Sequence, residues 1–326
     1  MNVKQRLIAL FENNRENYLS GEELASQLGC SRAAVWKAVK ALKAEGYAIS
    51  ASTNKGYRLG AETDVLSEAG IRRWLTGRAE GVVLDVRREV GSTNNAARAL
   101  AEQGAPEGLC VISAAQTGGK GRLGRSFFSP ADTGLYLSIL LRPKMSAADS
   151  VRITTAAAVA AAEAVDAVSG ESSAVKWVND VYLRGKKICG ILTEASFSLE
   201  NGGLDHAVVG IGINAYEPEG GFPPEIAGIA GAVSDRRQDD MRNRLAGCVI
   251  SRFMEYYADL SSPQMLAAYR RKLMWQGEKI RVISGQEEYT CTLLGVTDSY
   301  ALRVRLEDGT ERTVSSGEIT VRRTGI

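Results

Sequence analysis

The spacing of hydrophobic residues over the first sixty positions predicts three helices. Apolar side chains recur at helical intervals between residues 3 and 11, which indicates a first helix. Ser20 precedes a second helix as its N-cap, and Gly29 is placed to end that helix in a left-handed conformation. Ser31 caps a third helix that stops at Gly46. Two helices joined by a short glycine-containing turn are typical of a helix-turn-helix.

After the third helix the pattern changes to strict alternation. Residues 47–51 and 57–59 alternate apolar and polar side chains around a turn at 54–56, which predicts a hairpin and makes the unit a winged helix. Residues 31–60 carry six basic residues against Glu45 alone, a balance that favours contact with nucleic acid. The residues predicted to contact DNA are Ser31, Arg32, Ala33, Trp36, Lys37, Lys40, Lys55 and Arg58.

The middle of the chain mixes strand and helix patterns. An apolar run over residues 82–90 predicts a strand, and Gly91, Ser92, Thr93 and Asn94 lead from it into an alanine-rich helix. A helix start that follows a strand presents hydroxyl groups and free backbone amides to a ligand. This turn is therefore a candidate binding element.

A long helix over about residues 149–168 leads to a second group of strands. Residues 174–180 have the pattern of a strand that ends in polar side chains, and residues 181–192 predict a hairpin. Lys187 directly precedes the apolar part of this hairpin. We therefore expect Lys187 to point inward beside Asp180.

The C-terminal part returns to short strands. Helical patterns over residues 239–257 and 263–274 precede strand-like runs between residues 279 and 314, which predict a small β-barrel. The expected organisation is multidomain α/β, with an N-terminal winged helix-turn-helix, a central α/β domain and a C-terminal barrel. The predicted boundaries are 1–62, 63–274 and 275–326.

Composition excludes several classes of protein. The chain has 326 residues, of which 44% are hydrophobic and 24% charged, as in ordinary globular proteins. No apolar run approaches the length of a bilayer span and no signal-peptide core is present, so we expect a cytoplasmic protein without membrane contact. Five scattered cysteines and one histidine support neither a disulfide framework nor a metal site built from side chains.

The densest chemistry lies between Gln116 and Ser129, where four glycines alternate with Lys120, Arg122 and Arg125. A glycine-rich backbone can wrap closely around an anion while cationic side chains converge on it. The spacing partly fits the dinucleotide-binding and phosphate-loop motifs, but both need a helix directly afterwards. Because Pro130 follows without any helical period, we favour an anion-binding loop of another kind.

Five motifs in order resemble those of biotin protein ligases. They are Ser92-Thr93-Asn94, the glycine-basic loop from Gln116 to Arg125, Lys176-Trp177-Val178-Asn179-Asp180, Lys187 with Gly190, and Gly210-Ile211-Gly212-Ile213-Asn214. With the winged helix ahead of them, the whole chain resembles the bifunctional bacterial form, which also represses biotin genes. The resemblance implies a class II synthetase-like mixed sheet in the centre and an SH3-like C-terminal domain. Val178 stands where the family usually has proline, and Lys120 where arginine is commoner.

The resemblance also implies residue roles. The catalytic residues would be Lys187, Lys120, Arg122 and Asp180. Biotin would be bound by Ser92, Thr93, Asn94, Gln116, Lys120, Gly121, Arg122, Lys187 and Gly190. The adenylate would be bound by Arg122, Arg125, Phe127, Lys176, Trp177, Asn179 and Asn214.

The reaction that the resemblance implies has two steps. The carboxylate of biotin attacks the α-phosphate of ATP, with Mg²⁺ assisting at pyrophosphate, and a lysine of the biotin carboxyl carrier protein then attacks the adenylate. Biotinyl-5′-AMP would also act as corepressor, promoting a homodimer that binds operator DNA. Two alternatives are a biotin-sensing repressor without ligase activity, which intact Lys187 and Asp180 disfavour, and a lipoate-type ligase, which the glycine-basic loop disfavours.

Overall fold

A computed structural model gives the fold of the chain. It describes residues 2–15, 17–146, 148–197, 204–284, 287–315 and 319–323. Within these residues, none of the helices combines the length and apolar character that a membrane span requires.

The N-terminal unit is the winged helix-turn-helix that the periodicity predicted. Its helices are α1 (Val3–Asn13), α2 (Gly21–Leu28) and α3 (Arg32–Ala44), and its wing pairs β1 (Ile49–Ser52) with β2 (Gly56–Leu59) in antiparallel register. One buried apolar cluster joins the three helices to the wing. Burial of this shared face is the main source of stability for so small a unit.

Local signals in the sequence explain the helix ends and the wing. The Ser20 hydroxyl caps α2 by accepting from the Glu23 amide, and Gly29 ends the helix with φ 61°. The wing turn closes at Gly56, whose φ is 98° and whose place could not hold a Cβ, since that atom would lie 2.1 Å from the carbonyl oxygen of Leu19. Leu19 and Tyr57 exchange two backbone hydrogen bonds of 2.8 Å there. The wing is thus fixed to the start of α2.

The central domain is built on a seven-stranded mixed sheet in the order β3-β4-β5-β9-β8-β7-β6. β3 pairs parallel with β4, and the other neighbouring strands pair antiparallel. The strands are β3 (Val83–Arg87), β4 (Leu109–Ser113), β5 (Gly134–Leu141), β6 (Ala174–Lys176), β7 (Asp180–Leu183), β8 (Lys186–Phe197) and β9 (Leu204–Asn214).

Helices cover both faces of this sheet. Alternate side chains of β4 separate the two cores, because Leu109 and Val111 pack with α5 (Thr93–Glu102) while Cys110 and Ile112 belong to the larger cluster around α6 (Val151–Ser169). The remaining helices are α4 (Glu68–Arg72), α7 (Pro224–Ala227), α8 (Met241–Ala258) and α9 (Pro263–Lys272). The alanines of α6 let it lie close to the sheet.

The predicted strand over residues 174–180 is wrong in its extent. β6 ends at Lys176 and β7 begins at Asp180, opposite Lys176 in the antiparallel register. The intervening corner contains a cis peptide bond between Trp177 and Val178. The corner is held by the indole of Trp177, which donates to the carbonyl of Tyr300 at 2.8 Å. The chain therefore reverses direction where the sequence predicted that one strand would continue.

The C-terminal domain is a five-stranded antiparallel sheet in the order β13-β12-β11-β10-β14. Its strands are β10 (Lys279–Ser284), β11 (Glu287–Val296), β12 (Leu302–Leu306), β13 (Glu311–Val314) and β14 (Ile319–Arg323). Its apolar residues join the larger core of the central domain. There, the rings of Tyr269 and Tyr300 meet edge to face, with their centroids 5.4 Å apart. The C-terminal sheet thus supports the corner that follows β6.

A buried charge cluster joins the winged helix to the central domain. The carboxylate of Asp240, next to the start of α8, accepts from Arg15 at 2.8 Å, the Trp74 indole at 2.9 Å and the Asn243 amide at 2.8 Å. Glu12, with a fully buried side chain, pairs with Arg15 at 2.7 Å. Burial raises the pKa of Asp240, and the positive charge of Arg15 opposes that rise. Separating the two domains would break the buried pair between Arg15 and Asp240 and leave Arg15 paired with Glu12.

Candidate active site and DNA-binding surface

A cavity of about 280 Å³ opens between the glycine-basic loop and strands β8 and β9. Every residue predicted for catalysis, biotin binding or adenylate binding lines it: Ser92, Thr93, Asn94, Gln116, Lys120, Gly121, Arg122, Arg125, Phe127, Lys176, Trp177, Asn179, Asp180, Lys187, Gly190 and Asn214. The fold therefore brings the scattered motifs to one place. Their individual roles stay predictions.

Glycines of β8 and β9 form the floor of the cavity. Gly190 of β8 lies opposite Gly212 of β9 in the sheet register. A Cβ on Gly210 would come within 2.2 Å of the Asn94 carbonyl oxygen, and one on Gly212 within 2.6 Å of the Phe127 ring. Glycine is required at both positions because other side chains rest directly on the strand.

A hydrogen-bond network orders the wall formed by the start of α5. The Gln116 carbonyl oxygen accepts from the amide and the hydroxyl of Thr93 at 2.9 and 3.1 Å, and the Gln116 amide nitrogen donates to Ser129 at 3.0 Å. The hydroxyl of Ser138, fully buried in β5, lies 2.6 Å from the Asn94 carbonyl oxygen. Satisfied buried networks of this kind fix the orientation of their members. Ser138 was missed by sequence reasoning, although a lone serine in the apolar run 134–141 was the available signal.

The opposite wall carries the positive charges. The Lys187 ammonium lies 2.6 Å from Asp180 Oδ1, which confirms the expected inward position of Lys187. Arg122 donates to the Asn179 carbonyl oxygen at 3.1 Å, and the Asn179 amide donates in turn to the Ile191 carbonyl at 2.7 Å. Cations held by fixed partners can stabilise negative charge that develops on a bound ligand.

Aromatic rings surround a third cation at the corner after β6. The Lys176 ammonium lies 5.8 Å from the ring centroid of Tyr182 and 5.5 Å from that of Trp275. Burial, assisted by the charge of Asp180, raises the pKa of Tyr182 to about 12. Tyr182 is therefore neutral at physiological pH, so no negative phenolate charge stands beside the Lys176 ammonium.

The glycine-basic loop has no regular helix after it. It makes one short 3₁₀ turn at Arg122–Gly124, with Leu123 in the left-handed region at φ 57°, and then reaches β5 through a turn at residues 131–133. This geometry agrees with the rejection of the two generic nucleotide motifs, each of which needs a helix at that point.

A second loop, which includes α7, lines the cavity and was not singled out from the sequence. Phe222, Ile226, Ile229 and Ala230 line the cavity from this side. The Lys187 amide donates to the Ile229 carbonyl at 2.8 Å, so the loop is paired with the start of β8. Its signal in the sequence was three apolar residues in a stretch rich in glycine and proline.

The predicted DNA contacts lie on α3 and on the wing. Ser31 is the N-cap of α3, and Arg32, Ala33, Trp36, Lys37 and Lys40 are exposed along that helix. Trp36 is 55% exposed, and the Lys40 ammonium lies 5.5 Å from its ring centroid. An exposed tryptophan beside lysines is unusual for a merely solvated helix face. The surface combines positive charge with an apolar contact.

In the wing, Lys55 is exposed, whereas Arg58 is half-buried. The Arg58 guanidinium stacks on the ring of Tyr18, 4.9 Å from its centroid, and Lys55 lies 5.9 Å from the same ring. Tyr18 was missed by sequence reasoning. It holds the cations of the wing against the body of the domain.

Three family models match consecutive parts of the chain. They describe an HTH domain over residues 3–58, the biotin/lipoate A/B protein ligase family over residues 87–214, and a biotin protein ligase C terminal domain over residues 277–322.

Whole-length relatives agree with these matches. The bifunctional ligase/repressor BirA of Bacillus spizizenii is 31% identical over 325 residues, which cover 96% of this chain and 97% of the relative. BirA of Escherichia coli is 29% identical over 335 residues, which cover 98% and 97%. The biotin protein ligase from Aquifex aeolicus in complex with biotin and ATP is 26% identical in sequence, with a TM-score of 0.61 over 74% of this chain and 99% of that one.

A winged helix ahead of a ligand pocket on a mixed sheet defines a class of proteins that combine an enzyme with a DNA-binding domain. The matches over nearly the full length give the family within that class. The chain belongs to the bifunctional ligase/repressors, biotin protein ligases that carry an N-terminal HTH domain.

Proposed function

We propose that the chain joins biotin to ATP as biotinyl-5′-AMP and then transfers the biotinyl group to a lysine of a biotin carboxyl carrier protein. The observation that carries this proposal is the single cavity lined by all five sequence motifs. A hydrogen-bonding wall on one side suits the ureido ring of biotin. The cationic wall on the other side suits a carboxylate and phosphates.

The cations have distinct positions for this chemistry. Lys187 lies where it can offset the charge that builds up as the biotin carboxylate attacks the α-phosphate, and Arg122 reaches the same region from the loop. Asp180, beside Lys187, would accept the proton of an incoming lysine. Phe127 on the glycine floor would contact the ligand from the loop side.

The glycine-basic loop would protect the intermediate. An acyl adenylate hydrolyses in water, so the site has to exclude solvent between the two steps. The loop crosses the cavity and would act as its lid. Mg²⁺ would enter with the ATP phosphates, since the described residues do not bring three metal-ligating side chains together.

We further propose that the chain represses transcription by binding operator DNA as a dimer, with biotinyl-5′-AMP as corepressor. The support is the exposed basic face of α3, together with a buried charge cluster that fixes this domain to the central one. Binding of a ligand in the cavity could then be passed to the DNA-binding surface.

The decisive experiment mixes the protein with labelled biotin, ATP, Mg²⁺ and a purified carrier domain. We expect label on the carrier and release of AMP and pyrophosphate, and none on a carrier whose acceptor lysine is replaced by arginine. Binding of biotin without transfer would instead favour the sensor repressor. Preferential transfer of lipoate in a parallel reaction would favour the lipoate-type ligase.

A further inference from the structure

Lys120 of the glycine-basic loop is anchored outside the cationic wall. Its ammonium donates to the Asn95 side-chain oxygen at 2.7 Å, and it lies 3.8 Å from Glu194 Oε1. Asn95 belongs to the first turn of α5, and Glu194 lies in β8. The loop is thus tied to the wall that carries the hydrogen-bonding groups.

The second carboxylate oxygen of Glu194 reaches into that wall. Glu194 Oε2 accepts from the Asn94 amide at 2.7 Å. The other side of the Asn94 amide group faces Ser138 at 2.6 Å, and its carbonyl oxygen rests on Gly210. One carboxylate therefore contacts both the glycine-basic loop and Asn94 of the hydrogen-bonding wall.

The other end of the loop is tied to the opposite wall. Two residues after Lys120, Arg122 donates to Asn179 at 3.1 Å. The loop consequently spans the cavity with a charged anchor at each side. Glu194 supplies the one negative charge that faces Lys120 among the ion pairs of the described residues.

We propose that Glu194 is a positioning residue that holds the loop closed over the biotin end of the cavity through Lys120. The inference rests on the proposed function and adds to it a residue that slows the escape of bound ligand. Both side chains are partly exposed, at 39% for Lys120 and 32% for Glu194. A pair of this kind is weak enough to open for each turnover.

The test is a double-mutant cycle on ligand escape. Glu194→Gln keeps the size of the side chain and an oxygen that can accept from Asn94, but removes the charge that faces Lys120. Lys120→Met removes the ammonium. Dissociation of biotinyl-5′-AMP and of biotin alone is measured by chase with unlabelled biotin for wild type, each single variant and the double variant. We expect Glu194→Gln to speed dissociation about two- to fivefold and to have no further effect in the Lys120→Met background.

Ionic strength provides a second readout. Wild-type dissociation should accelerate with added salt, and the Glu194→Gln variant should lose most of that dependence. Glu171→Gln removes a comparable carboxylate from a surface pair with Arg184, 3.5 Å away and outside the cavity, and should leave dissociation unchanged.

Independent effects of the two single variants, or an unchanged rate in Glu194→Gln, would overturn the assignment. A failure to form the adenylate counts against the proposed function. The role of Glu194 is still decided in that case, because the double-mutant cycle is also measured on the dissociation of biotin alone.

Discussion

The DNA-binding surface and the ligand cavity are built in opposite ways. The predicted DNA-binding surface takes its side chains from one helix and one hairpin, all between residues 31 and 58. The cavity takes its side chains from segments that run from Ser92 to Ala230 and meet through the register of one sheet. Single substitutions on the predicted DNA-binding surface should each cause a small loss of affinity, because the contacts there add up. Single substitutions in the cavity should cause large losses of activity or binding, because each group there depends on its neighbours.

The largest effect is expected from Lys187→Ala. Removing the ammonium takes away a fixed cation from the reacting carboxylate and phosphate, so kcat for biotin transfer should fall by roughly 10²- to 10³-fold. Lys144→Ala is the matched control, because Lys144 is exposed on the central domain and does not line the cavity. Steady-state transfer kinetics check both variants.

If the cavity and the predicted DNA-binding surface are separate, Lys187→Ala should leave DNA binding by the ligand-free protein unchanged. Near-normal transfer in this variant would remove Lys187 from the mechanism. A parallel loss of ligand-free DNA binding would show that the cavity and the DNA-binding surface are not separable.

A smaller loss is expected from Gly210→Ala. The added methyl group would stand 2.2 Å from the Asn94 oxygen, which has no room to retreat because Ser138 and Glu194 hold the side chain on its other side. Overpacking of this kind typically costs about 1–3 kcal/mol, so biotin affinity should weaken about tenfold or more. Titration calorimetry with biotin gives the affinity, and thermal unfolding reports whether the fold survives.

Gly81→Ala is the control for that substitution, since a Cβ there meets open space. Equal biotin affinity in Gly210→Ala and wild type would mean that Asn94 can move away without consequence. The ordered wall would then be unnecessary for binding.

The smallest effect is expected on the DNA-binding surface. Lys37→Ala should weaken binding to a mixed-sequence duplex and lower the slope of log affinity against log salt by about one, because one phosphate contact is lost. Lys43→Ala, on the same helix but outside the predicted surface, serves as control. Fluorescence anisotropy over a salt series gives the slopes. An identical slope for Lys37→Ala and wild type would mean that Lys37 does not contact a DNA phosphate.

The same contrast explains what could be predicted from the sequence. The winged helix followed from periodicity and caps, because hydrophobic spacing and residues such as Ser31 and Gly29 act within a few positions of themselves. The cavity motifs were found through a resemblance, and their convergence depends on strand order. Glu194 and Ser138 escaped notice because their importance comes from Asn94, which lies 100 and 44 positions away along the chain.

The corner after β6 was misjudged for a related reason. Trp177 and Val178 are residue types that favour strands, so no local signal marks the reversal of the chain. The anchor that holds the corner is Tyr300, 123 positions later in the C-terminal domain. The predicted domain boundaries at 62 and 274 stay predictions. The central and C-terminal cores are continuous, so the packing shows no break at 274.

The charge cluster around Asp240 has a consequence for operator architecture. A winged helix on a free tether could reach half-sites at many separations, but Arg15 fixes this one to Asp240 at the start of α8 through a buried ion pair. In any symmetric pair of copies, the distance between the two recognition helices would be a property of the protein. Such a pair would bind operators of one spacer length. Inserting or deleting a few base pairs between the half-sites would prevent both recognition helices from contacting DNA at once.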